Sequence, residues 1–260
     1  MKNFFWVIFF LLMSTYAQAE LVGEVVEYGK DLQGYLVYDD SFKERRPGIL
    51  VVHEWWGHNA YARKRADMLA ELGYVALAVD MYGNGKTAGH PDQAGEFSSA
   101  VMQHMDTVGK ERFEAAMGIL KKHYKVNSKQ IAAIGYCFGG ATVLHMARLG
   151  VDLKGVASFH GSYATQTPAQ PGEVKAKVLV CHGADDSFSS PEQITAFKKE
   201  MDDAQVNYKF ITYEGAKHSF TNPDADEYAK EFNLDIGYNA EADAKSWQEL
   251  QTFLKEIFQK

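Results

Sequence analysis

The stretch Ile131-Ala132-Ala133-Ile134-Gly135-Tyr136-Cys137-Phe138-Gly139-Gly140 decides how this chain folds. Residues 131–134 are a short apolar run of the kind a buried strand makes, and 141–147 beyond them have helical character. Between the two, Gly135-Tyr136-Cys137-Phe138-Gly139 reads as a strand-to-helix turn that presents a thiol. The flanking glycines tolerate a strained backbone and let helix and strand pack closely. A cysteine on such a turn sits at the positive end of the following helix, which stabilises its anion. The plain alternative is a buried cysteine in a glycine-rich turn, since free cysteine packs as a small hydrophobe.

Outward from this turn the chain alternates. Upstream, Leu21–Tyr28 and 33–38 suit an antiparallel opening pair, and 49–52 is the continuous apolar run of a strand buried on both faces. A helix is predicted over 59–72, closed by Gly73, then a strand over 74–79 with Asp80 at its end. Two helices are predicted within 91–123, broken around 106–109, and Asn127-Ser128 reads as a turn into the Cys137 strand. Downstream come strands at Gly155–Phe159, 178–181 and Tyr208–Tyr213, with a helix over 191–205. Trp247, Leu250, Leu254, Ile257 and Phe258 recur at helical spacing and mark a last amphipathic helix. Alternating units of this kind imply an α/β fold, a mostly parallel sheet with helices on both faces. Ligands of such sheets sit outside the carboxyl ends of the strands, where Cys137 falls.

The ends and the composition narrow the partners. Lys2, the apolar run 4–13 and Ala17-Gln18-Ala19 read as a signal peptide over 1–19, cleaved after Ala19, which implies a periplasmic or secreted protein. The run is too short for a stable membrane span, and no cysteine follows the cleavage site to carry lipid. Residues 20–260 then form one domain, and loss of Lys2 takes the formal charge from −7 to −8. That balance disfavours nucleic acid or an anionic membrane surface as partner. The expected partner is a small molecule, and the expected state a monomer or weak homo-oligomer. The two cysteines, Cys137 and Cys181, are too few for a disulfide scaffold. A reactive Cys137 requires that they stay unpaired, with Cys181 a core residue near a strand end.

A thiol nucleophile needs a base, and the base an orienting group. Two polar loops follow apolar strands: Cys181-His182-Gly183-Ala184-Asp185-Asp186-Ser187-Phe188 and Glu214-Gly215-Ala216-Lys217-His218-Ser219-Phe220. Cys137, Asp186 and His218 then occur in the order nucleophile, acid, base, and the turn fits G-x-S-x-G with cysteine for serine. Asp186 could instead cap the helix starting near Pro191, Asp185 could be the acid, and His218 could be an exposed loop residue.

These segments, with Val51-Val52-His53-Glu54-Trp55-Trp56-Gly57-His58-Asn59 and Val79-Asp80-Met81-Tyr82-Gly83, resemble the dienelactone hydrolases over nearly the whole mature chain. The resemblance implies an α/β-hydrolase fold with a Cys137-Asp186-His218 triad and no cofactor, and it matches Asp186 rather than Asp185 to the acid. It also implies that Glu54 contacts the nucleophile. Phe138 and Trp55 would supply oxyanion N–H donors, and Trp55, Trp56 and Tyr82 would line the pocket. Members acting on dienelactone carry two arginines for the substrate carboxylate, at places that here hold Asn84 and Asn222, with Lys86 nearby. Asparagine offers no cationic fork, so a neutral small ester, lactone or thioester is expected.

Other classes fare worse. In His53-Glu54-Trp55-Trp56-Gly57-His58 the second histidine comes one residue late for the zinc signature H-E-x-x-H. No C-x-x-C supports a thiol redox protein. An acyltransferase on the same triad, and a binding protein that keeps the fold without chemistry, remain as alternatives.

Overall fold

A computed structural model describes residues 20–259. The apolar runs pair into one eight-stranded sheet in the order β1-β2-β4-β3-β5-β6-β7-β8. The strands are β1 (Leu21–Tyr28), β2 (Leu32–Asp39), β3 (Arg46–Val52), β4 (Val75–Val79), β5 (Val126–Tyr136), β6 (Gly155–Phe159), β7 (Lys177–Gly183) and β8 (Tyr208–Tyr213). β2 is antiparallel to both β1 and β4, and β3 to β8 run parallel to one another. This is the mostly parallel sheet that the alternating pattern implies, in the α/β-hydrolase architecture that the family resemblance implies.

The helices are α1 (Ala60–Glu71), α2 (Pro91–Met102), α3 (Lys110–Lys122), α4 (Phe138–Arg148), α5 (Pro191–Asp203), α6 (Ala225–Phe232) and α7 (Ala240–Phe258). Strands β3, β4, β6 and β7 are buried over most of their length because helices cover both faces. One core joins the sheet to α3, α4 and α5 through Phe113, Leu144 and Phe197; the other joins it to α1 and α7 through Leu69, Leu250 and Leu254.

One expectation is refined and two need correction. The break near 106–109 is a π-helical turn, Met105–Gly109, between α2 and α3. Asn127 and Ser128 lie inside β5, which starts at Val126 paired with Arg46, and the ladder shifts register before Gly48. Helix α6, absent from the expected elements, is held by Tyr228 and Phe232, one turn apart, whose rings pack on Trp56 at 4.5 and 6.0 Å. The expected signal segment lies outside the described residues.

Candidate active site

The five residues of interest lie just past the carboxyl ends of five parallel strands: Glu54 after β3, Cys137 after β5, His160 after β6, Asp186 after β7 and His218 after β8. Cys137 takes φ 53° and ψ −113°, a left-handed conformation that L-residues rarely adopt. The glycines on either side allow it. A Cβ on Gly135 would meet the Gly139 carbonyl oxygen at 2.0 Å, and one on Gly139 would meet the Val52 carbonyl oxygen at 2.2 Å. The turn therefore presses α4 against β3 and lifts a partly exposed, unpaired thiol to the helix N-terminus. Its side chain makes no capping hydrogen bond, which leaves the sulfur free at the positive end of the helix.

Backbone contacts join the acid and base loops. Ala184 N–H donates to Tyr213 O at 2.9 Å and Asp185 N–H to Ala216 O at 3.0 Å, while Gly183 leaves no room for a Cβ against that same Ala216 carbonyl. This lock sends the two aspartates to opposite sides. Asp185 is exposed; Asp186 is buried, with Oδ2 3.0 Å from His218 Nδ1 and Oδ1 accepting from Phe188 N–H at 2.9 Å. Ser190, not Asp186, caps α5 through a capping box with Gln193. His218 is buried rather than loose on a loop, and its ring shares the wall of one cavity with Cys137. Burial opposes a charge on this ring. Attraction to Cys137 and the hydrogen bond to Asp186 outweigh it and raise the affinity of the ring for its proton well above the ordinary histidine range.

Cys137 and His218 open onto a cavity of about 340 Å³ walled by Trp55, Met102, Phe138, Phe188 and Ile236, with serines 98, 162, 189 and 219 at its polar points. No lysine or arginine is among its lining residues. Two aromatic expectations fail here. Trp56 is buried against α6, and Tyr82 sits behind the wall, where its hydroxyl donates to Trp55 O at 3.0 Å and its ring packs on Phe138. Trp55 alone of the three lines the cavity. Among the described residues no backbone carbonyl takes its N–H.

Among the described residues, the hydrogen bonds of the Glu54 carboxylate go to the base loop and not to Cys137. Glu54 is buried with both oxygens taken: Ser219 Oγ donates to Oε1 at 3.0 Å and Asn222 Nδ2 to Oε2 at 2.6 Å. Burial raises its pKa above the usual carboxyl range, and the two donors and the His218 charge reduce that rise. Asn222 therefore braces Glu54 beneath the base loop instead of facing substrate. Asn84 belongs to a separate turn built on Asp80, whose carboxylate accepts the N–H groups of Gln33, Tyr82, Gly83 and Gly85. Asn84 N–H donates to Asp31 O in that turn, and Lys86 lies 5.6 Å from the Phe97 ring; neither lines the cavity.

The zinc-like histidines have structural partners. His53 donates from Nδ1 to Glu54 O and accepts Met81 N–H at Nε2, and His58 Nε2 bonds Ala78 O at 3.1 Å. Burial is the main cause that lowers both pKa values to about 4. Each ring is neutral when folded and titrates near 6.5 when unfolded, so between pH 6.5 and 4 the unfolded chain binds more protons. Stability is then fully present above pH 6.5 and falls as the pH drops, by up to about 3 kcal/mol per ring at pH 4. Glu54 and His218, whose folded pKa values are raised, work in the opposite direction and offset part of this. Urea unfolding at pH 7.5, 5.5 and 4.5 is expected to show midpoints falling with pH; a flat profile would contradict the burial argument.

His160 was missed by motif reasoning, although it directly follows a correctly read strand on the edge that carries Cys137. The only signal was position.

Known proteins are similar to this chain over most of its length. The model of the dienelactone hydrolase family matches residues 32–258. A protein of Aquifex aeolicus, provisionally named a carboxymethylenebutenolidase, is 27% identical over 210 residues, 77% of this chain and 88% of its own. The crystal structure of a dienelactone hydrolase-like promiscuous phosphotriesterase from metagenomic libraries is 31% identical, covers 93% of this chain and 100% of its own, and superposes with a TM-score of 0.84. With the match spanning strands β2 to β8 and the loops at their carboxyl edge, the chain belongs to the dienelactone hydrolase family and is an enzyme of the carboxylic ester hydrolase class.

Proposed function

We propose that the protein hydrolyses small, uncharged esters, lactones or thioesters through an acyl-thioester on Cys137. One observation carries the reading: the His218 ring bonds the Asp186 carboxylate through Nδ1 and stands with Cys137 on the wall of one apolar cavity. With Nδ1 committed to Asp186, Nε2 is the nitrogen left to exchange a proton with the sulfur. The thiolate attacks the acyl carbonyl, and the developing oxyanion takes the N–H groups of Phe138 and Trp55. Collapse breaks the ester C–O bond, and His218 Nε2–H protonates the departing oxygen. Water then attacks the thioester and gives its proton to His218; cleavage of the C–S bond releases the acid and restores the thiolate–imidazolium pair. Glu54 acts through Ser219 and Asn222 by bracing the base loop.

The substrate charge follows from the lining. A carboxylate entering a cavity without lysine or arginine gives up hydration with no cationic partner in return. Chromogenic short-chain esters are expected to exceed a carboxylate-bearing lactone of equal size by about tenfold or more in kcat/KM. A preference for the charged lactone would overturn this assignment. Export is part of the same proposal and rests on residues 1–19; sequencing the mature N-terminus should find Glu20 first.

A further inference from the structure

We propose that His160 is a positioning residue for the Cys137–His218 pair, a neutral ring that ties the nucleophile turn to the loop carrying the base. The inference rests on the role of Cys137 and His218 proposed above and adds a residue outside the motifs.

His160 directly follows β6 with φ 41°, a left-handed conformation uncommon for a residue other than glycine. Its side chain is fully buried. The Cys137 N–H is shared between Phe159 O at 3.0 Å and His160 Nδ1 at 3.1 Å. A backbone N–H only donates, so Nδ1 is bare and the ring proton sits on Nε2. That nitrogen faces Thr221 Oγ1 at 2.7 Å and donates to it. Thr221 lies three residues past His218 and is itself anchored, its hydroxyl to Tyr61 OH at 2.6 Å and its carbonyl to Arg65, which pairs with Asp243 at 2.6 Å.

One side chain therefore links the amide of the nucleophile to the base loop, and that loop to α1 and α7. The His160 ring also stands edge-on to His218 at 5.2 Å and to Phe220 at 5.3 Å, which limits how far the base can swing. Burial, with the charges of His218 and Arg65 nearby, keeps this ring neutral. Both ring nitrogens are occupied, so a ring that merely filled space would take one of two hydrogen bonds from the Cys137 N–H and one from the Thr221 hydroxyl. Small errors in the sulfur–imidazole geometry are expensive in rate, which gives such a tie a function.

The test compares His160→Phe, His160→Asn, Thr221→Val and the Asn/Val double variant with wild type. Each is measured by kcat and KM on a neutral chromogenic ester, by melting, and by the rate of Cys137 alkylation with iodoacetamide at neutral pH. Alkylation needs no substrate, so it reads the thiol even if the hydrolytic assignment fails. His160→Phe should fold, lose about 10- to 100-fold in kcat with KM little changed, and alkylate about tenfold more slowly. His160→Asn keeps an acceptor where Nδ1 stood but cannot reach Thr221. It and Thr221→Val should therefore show similar losses, and the double variant should be no worse than either. Wild-type kcat and alkylation rate in folded His160→Phe would overturn the proposal, as would losses that multiply in the double variant. Should His160→Phe fail to fold, Thr221→Val decides alone, and wild-type behaviour there would sink the idea.

Discussion

Cys137→Ala is expected to lower kcat/KM on a neutral ester by about 10⁴- to 10⁶-fold while leaving the fold intact. The size of the loss follows from covalent catalysis: without the sulfur no acyl-enzyme forms, and only binding and the oxyanion donors remain to assist water. The intact fold follows from the turn. Alanine keeps the Cβ, so the strain at φ 53° is unchanged, and the cysteine side chain contributes no capping hydrogen bond that would be lost. Circular dichroism and melting should overlay with wild type. A variant that retains activity within about 100-fold would mean that another group attacks.

Asp186→Asn carries the second largest effect. The asparagine oxygen can keep the Phe188 N–H, but its amide nitrogen then meets His218 Nδ1, where the carboxylate sat at 3.0 Å. An amide N–H donates, so Nδ1 must become the acceptor and the proton moves to Nε2, the face that should receive the thiol proton. The variant loses both the charge that favours the imidazolium and the tautomer that can accept. A fall of about 10²- to 10⁴-fold in kcat is expected, with KM little altered. The sign of the pH shift is fixed too: Asp186 raises the His218 pKa, so the alkaline limb of the rate profile should move to lower pH in the variant. An unmoved alkaline limb would show that Asp186 does not hold the ring.

The fold was legible because its strands are continuous apolar runs and its turns carry glycine at the positions that need it. The Cys137 turn illustrates this, since Gly135 and Gly139 each face a carbonyl that a Cβ would strike. Asp186 and His218 were legible as polar loops after strands, in chain order. Side-chain partners across loops were not legible. Nothing in the spacing of Glu54, Ser219 and Asn222 says that one carboxylate receives both donors from 165 and 168 residues away. For the same reason Asn222 reads as a substrate-facing position when it is buried beneath the base loop. Trp56 and Tyr82 read as pocket aromatics because motif position says which loop a ring leaves, not which side of the loop it takes. Helix α6 is short and acidic at its start, and its apolar contribution is limited to rings such as Tyr228 and Phe232 on Trp56, a contact that only the folded chain creates.

The central claim is a covalent one, and the most direct measurement is the mass of the enzyme quenched by acid during turnover of an activated acetate ester. The account predicts a population heavier by one acetyl group, mapped to the peptide bearing Cys137 and absent from Cys137→Ala. Acetyl mapped to another residue, or turnover that persists unchanged after Cys137 is alkylated, would contradict it.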